Sequence, residues 1–204
     1  MPRKSVRDPG GTTDTTRERA LRPVEAGSGL LVHTTSDRRL ATEHWLLSTL
    51  PEAGRDRART EWQKCGAALL PLGTLFSAVR IPGRLIVSLL RTDDPERTDE
   101  FLDDALDSGP VICDPHGPRY YALVPASMPA TWREAAAEWR ALDVDCLGRD
   151  TYLGVPAVDA VTYDPAFHSY WSVPMSSAAT LCAPLAVARL IAAAKPRLTQ
   201  EAER

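Results

Sequence analysis

Lysine is scarce in this chain. Of 24 basic residues only Lys4, Lys64 and Lys195 are lysines, an arginine bias that points to codon usage in a GC-rich genome rather than to a binding device. Charge of one sign is lacking too. A net charge of −3 supplies no chain-wide basic field for a phosphate backbone, so any nucleic-acid contact has to be local. The four cysteines, Cys65, Cys113, Cys146 and Cys182, are far apart and form no CxxC pair, which argues against a disulfide framework or zinc site and for single thiols in a reducing cytosol. No apolar run approaches the ~20 residues that a membrane crossing requires. No apolar segment follows the basic residues near the N-terminus, so a secretory signal is not expected and the expected location is cytoplasmic. The chain contains no phosphate-cradling P-loop, GxSxG elbow or HExxH helix.

What remains is an ordinary globular composition, 44% hydrophobic over 204 residues, enough for one well-buried domain. Residues 1–28 lack apolar periodicity and read as a disordered basic and polar tail, 29–195 as a single α+β domain, and 196–204 as a charged C-terminal tail. The centre of the domain is GPVICDPHGPRYYALVP, Gly109 to Pro125. It predicts two strands, Pro110–Cys113 and Arg119–Val124, joined by turn residues in which Gly117 can take a positive φ. Both strands are apolar almost throughout, which predicts a sheet covered on both faces.

Around that hairpin, Asp37 is the expected cap of a helix reaching Leu50, and a second helix runs from Glu52 to Lys64 and ends at Cys65–Gly66. Buried strands are expected at Ala67–Leu72 and Leu75–Ile81, then helices after Pro82 and over Thr98–Leu106. The acidic run Asp99, Glu100, Asp103, Asp104, Asp107 reads as the solvated face of that last helix. A helix over Thr131–Leu142 puts Trp132 and Trp139 on one side, a spacing that favours core packing over ligand stacking. Short strands at Val144–Leu147, Thr151–Val155 and Ser169–Val173 precede a closing helix from Cys182 to about Ala194. The order predicts an α+β fold built on one mixed sheet with flanking helices.

Two constellations could carry chemistry. Cys113 and His116 could pair as nucleophile and base, but nothing in the sequence lowers the thiol pKa. Asp143 and Asp145, two apart on an expected strand, could share one Mg²⁺ or Mn²⁺; the competing reading is a solvated strand end.

From about Trp62 to Leu190 the motifs AALLPLGTLFSAVRIP, GPVICDPHGPRYYALVP, DCLGRDTYLGVP and SYWSVPM resemble, in order and apolar character, the bifunctional DNA primase/polymerase N-terminal (Prim-Pol) domain of bacteria. The resemblance implies a core of the archaeo-eukaryotic primase type with a cleft between sheet halves. It also implies an acidic metal-binding pair on an early strand and a basic or histidine residue on a later hairpin for the nucleotide triphosphate. Here the early strand offers Ser77 and Arg80 where carboxylates are needed, and the hairpin offers Arg119 or Tyr120 near the histidine position. A hydroxyl is a poor lone ligand for a hard cation, and a guanidinium repels it.

The leading expectation is a catalytically degenerate binding or regulatory module, with any nucleotide or single-stranded nucleic-acid contact at Arg80, Arg119 and Tyr121 and no metal. One alternative is an active primase or polymerase with a relocated Asp143/Asp145 site. Another is a protein-interaction domain whose strip Tyr163, Phe167, Tyr170 and Trp171 docks a protein partner.

Overall fold

The computed structural model describes residues 24–25, 31–32, 34–164, 166 and 169–202. Among these, Val24–Glu25 (β1) pairs with Leu31–Val32 (β2) in a short antiparallel ladder. The rest of the expected N-terminal tail lies outside the described residues, as do His33, Phe167 and His168. Two helices follow, Thr35–Leu47 (α1) and Glu52–Cys65 (α2). Thr34, not Asp37, caps α1. Its hydroxyl accepts from the Asp37 backbone N–H while the Asp37 carboxylate accepts from the Thr34 N–H, a reciprocal box that satisfies two helix-end donors. At the end of α2, Gly66 takes φ 72°, the left-handed turn that glycine adopts without strain.

The α+β class read from the sequence holds. The strands Ala67–Pro71 (β3), Phe76–Pro82 (β4), Val111–Asp114 (β5), Arg119–Pro125 (β6), Asp145–Leu147 (β7), Tyr152–Pro156 (β8) and Tyr170–Val173 (β9) form two sheets rather than one mixed sheet. One has the order β7-β4-β6-β5-β9, the other pairs β3 with β8, and every ladder is antiparallel. The predicted hairpin is β5–β6, in register Cys113 opposite Tyr120 and Asp114 opposite Arg119, at the middle of the large sheet. Its turn is made without the left-handed region at Gly117.

Both faces of that sheet are covered, as the apolar strands require. On one face Val79, Ile81, Val111, Ala122 and Val124 pack against Gly83–Leu90 (α3), Pro95–Ala105 (α4) and Pro184–Ala202 (α7). On the other face Phe76, Ala78, Ile112, Leu123 and Trp171 pack against α1, α2 and the β3–β8 pair. The Trp62 indole N–H donates to the Val155 carbonyl at 2.8 Å, tying α2 to β8.

Several local expectations change. β3 is half-buried: Ala68 and Leu70 face inward while Leu69 is 63% exposed, because the two-stranded sheet has nothing over its outer face among the described residues. The expected 131–142 helix breaks into Met128–Thr131 (α5), Arg133–Trp139 (α6) and a 3-10 turn, Arg140–Leu142. Trp132 and Trp139 still meet, with ring centroids 6.4 Å apart, against the first core. The expected charged tail at 196–204 is helical through Ala202, with Pro196 inside α7. Among the described residues no helix is long and apolar enough to cross a membrane.

Candidate functional site

Strand geometry decides which candidate residues meet. Successive side chains on β4 alternate between faces. Phe76, Ala78 and Arg80 point to the second core, and Ser77, Val79 and Ile81 to the first. Ser77 and Arg80 are therefore on opposite faces. Ser77 is fully buried, and its hydroxyl donates to the Ala126 carbonyl at 3.3 Å.

The register places Arg80 opposite Tyr121 on β6 and opposite Asp145 on β7. Arg119, two residues before Tyr121, shares its face. Arg80, Arg119 and Tyr121 thus converge at one end of the large sheet. Burial raises the Tyr121 pKa, the nearby Asp114 adds to it, and the Arg119 and Arg80 guanidinium groups draw it back down.

Asp143 and Asp145 converge too, on a guanidinium. Arg80 donates a hydrogen bond to the Asp145 carboxylate and lies 3.8 Å from that of Asp143. Asp143 is not on a strand: at φ 64° it closes the 3-10 turn, and Arg84 reaches its other oxygen at 3.8 Å. The pair expected two apart on one strand face is instead a carboxylate on a turn and a carboxylate on a strand, joined through Arg80. A divalent cation there would have to displace a fixed positive charge. Among the described residues no group of three metal-ligating side chains is found.

The aromatic strip does not survive as an outward surface. Tyr170 and Trp171 are neighbours on β9, so they point to opposite faces and are buried in different cores, 3% and 1% exposed. Tyr163 packs edge-on against Tyr170, with centroids 5.8 Å apart at 72°, and Phe167 lies outside the described residues.

A second constellation lies on the other face of the sheet, and sequence reading did not find it. Tyr120, Cys113 and Tyr170 are direct partners across β6, β5 and β9. Beside them Asp99 turns inward from α4, although the acidic run around it reads as solvated. Tyr170 donates to the Asp99 Oδ1 at 3.0 Å, and the Ser172 hydroxyl donates to the same oxygen. Burial outweighs both donors and lifts the Asp99 carboxyl to about 6. Burial likewise pushes the Cys113 thiol up to about 12 and raises the Tyr120 and Tyr170 phenols. Cys113 is thus held as a neutral thiol, unsuited to nucleophilic work with His116. A signal for Asp99 was present: on α4 it lies one helical turn from Leu102, beside the buried arc. The pairing of Cys113 with Tyr120 follows from the hairpin register alone.

Over this row lies a cavity of about 560 Å³, bounded by α3, the start of α4, the β5–β6 turn and Tyr163. A neighbouring cavity of about 480 Å³ shares Tyr163 and Tyr170 as its wall. No family model, curated protein or solved structure matches the chain.

Proposed function

We propose that this protein is a binding module for single-stranded nucleic acid, without phosphoryl-transfer chemistry of its own. The observation that carries the reading is the placement of Tyr121 between Arg119 and Arg80 on one sheet face. Arg119 is exposed and, beyond its hydrogen bond to Tyr121, has no ion-pair partner among the described residues, so its remaining N–H donors are open to a phosphate. Tyr121 is half-buried and its hydroxyl is hydrogen-bonded to the Arg119 side chain, so the ring rather than the hydroxyl is what it offers a base. Arg80 is a positioning residue here: committed to Asp145 and Asp143, it fixes the β4–β7 edge beside the site. The same commitment weighs against the two carboxylates serving a two-metal reaction.

The test is fluorescence anisotropy with a labelled single-stranded oligonucleotide at several salt concentrations. Arg119→Ala is expected to weaken binding and to lower the salt slope by about 1, as loss of one phosphate contact requires. Tyr121→Ala is expected to cost ~1–3 kcal/mol of affinity, with Tyr121→Phe retaining most of it if the ring rather than the hydroxyl engages the base. Unchanged affinity in both Arg119→Ala and Tyr121→Ala would remove the site. Mn²⁺-dependent nucleotide incorporation that disappears in Asp143→Asn would replace the binding module with an enzyme.

A further inference from the structure

The cavity on the far side of the sheet is built differently from the arginine face. Its walls are rings. Tyr120, Tyr163 and Tyr170 line it together with Pro95, Pro115 and Pro118. Flat apolar rings of this kind favour a flat guest. The Tyr163 ring stands edge-on to Tyr170 rather than stacked on it, and the residue is 41% exposed, so a face of that ring is open.

Charge is arranged along the depth of the cavity. At the mouth stand Arg84, Arg91 and Asp93. Arg84 is drawn aside by the Leu142 carbonyl at 3.1 Å and by Asp143. Arg91 is exposed, and although its backbone N–H donates to the Val87 carbonyl, its side chain has no ion-pair or hydrogen-bond partner among the described residues. Its guanidinium is the one open cation of the mouth. The floor carries the opposite preference. Behind Tyr170 sits the Asp99 carboxyl, and the Cys113 thiol and Tyr120 phenol are held neutral by burial. An anion would be repelled from the floor and attracted to the mouth. A volume of about 560 Å³ holds a ring system with a short polar extension.

We infer that this cavity binds a planar aromatic ligand bearing one anionic group, the ring inserted between the tyrosine and proline walls and the anion at Arg91. The shared chemistry is a flat ring with a phosphate or a carboxylate. The site is separate from the arginine face: Tyr120 and Tyr121 are consecutive on β6 and point to opposite sides.

The experiment is titration calorimetry of the full chain with two probes, adenosine monophosphate for the phosphate source and indole-3-acetate for the carboxylate source. At least one is expected to saturate with a dissociation constant at or below about 1 mM, as an enclosed ring plus one charge contact allows. Val87→Trp fills the cavity from an exposed wall position and is expected to weaken that binding at least about tenfold. Arg91→Asn removes the cation while keeping a side chain that tolerates the φ of 56° found there, and a loss of about five- to twentyfold is expected. Arg119→Ala, on the opposite sheet face, is expected to leave the affinity for that probe at the parent value. The probe that binds identifies the source. Failure of both probes to bind, full binding by Val87→Trp, or loss of binding in Arg119→Ala would each overturn the assignment. Thermal unfolding of each variant confirms that the fold is intact, since both substituted positions are exposed.

Discussion

Asp99 shows how much one side chain's environment decides. It belongs to a run of carboxylates on α4, yet it alone of the run accepts from both Tyr170 and Ser172. Its folded-state pKa of about 6 stands above the unstructured value of 3.8 because burial penalises the charged form more than the two donors favour it. Between those values the native state binds more protons than the unfolded state. Stability therefore falls as pH rises through that window and stays lower above it. Asp99→Asn keeps an acceptor for Tyr170 and removes the charge. The expected outcome is a melting temperature at neutral pH above that of the parent, with the decline between about pH 4 and pH 6 reduced. Melting curves recorded across that range check it, and a variant with the parent's slope would show that another group carries the dependence.

At the scale of elements, the turn between β3 and β4 holds the two sheets in relation. Gly73 sits there at φ +84°, and its N–H donates to the Phe76 carbonyl at 2.7 Å. A Cβ at this position would lie 2.5 Å from the Arg149 backbone nitrogen. Gly73→Ala combines left-handed strain with a backbone clash, and a loss of about 2–4 kcal/mol in urea unfolding is expected. Gly117→Ala is the matched control. A Cβ there meets nothing within 4 Å, and the residue is outside the left-handed region, so the change is expected to fall within about 0.5 kcal/mol. Equal effects at the two positions would mean that the β3–β4 turn is not the constraint described.

At the scale of the molecule, the five-stranded sheet is the partition between two cores, and each of its central strands feeds both. Leu123 and Val124 are adjacent on β6 and fully buried, one in each core. Truncating either to alanine is expected to cost about 2–4 kcal/mol, since each leaves a cavity beneath a covered sheet. Because the two cores share every strand of β4, β5 and β6, both variants are expected to unfold in one transition, with tryptophan fluorescence and far-ultraviolet circular dichroism coincident. Trp45, Trp62 and Trp171 report on one core and Trp132 and Trp139 on the other, so fluorescence sees both. Two separated transitions in either variant would show that the cores are independent units.

The amino-acid sequence by itself determined most of the elements and their order: the hairpin read over Pro110–Val124 and found over Val111–Pro125, its burial on both faces, the α2 end at Gly66, and the closing helix. These depend on periods of 2 and 3.6 residues and on turn chemistry, which operate over a few neighbouring positions. Contacts between elements depend instead on strand order and register. Arg80 meets Asp145 across 65 residues, and Tyr170 meets Asp99 across 71. Local spacing puts Asp99 beside the buried arc of α4 and turns Tyr170 and Trp171 to opposite strand faces, but it does not tell that Asp99 accepts from Tyr170 and Ser172 or that both strand faces are covered by a core. Nor does it tell that Arg80 is occupied by the very carboxylates that could have held a metal. The tertiary structure decided these because a side chain's charge state and partners are set by what the rest of the chain brings against it, and that is a property of the packed sheet.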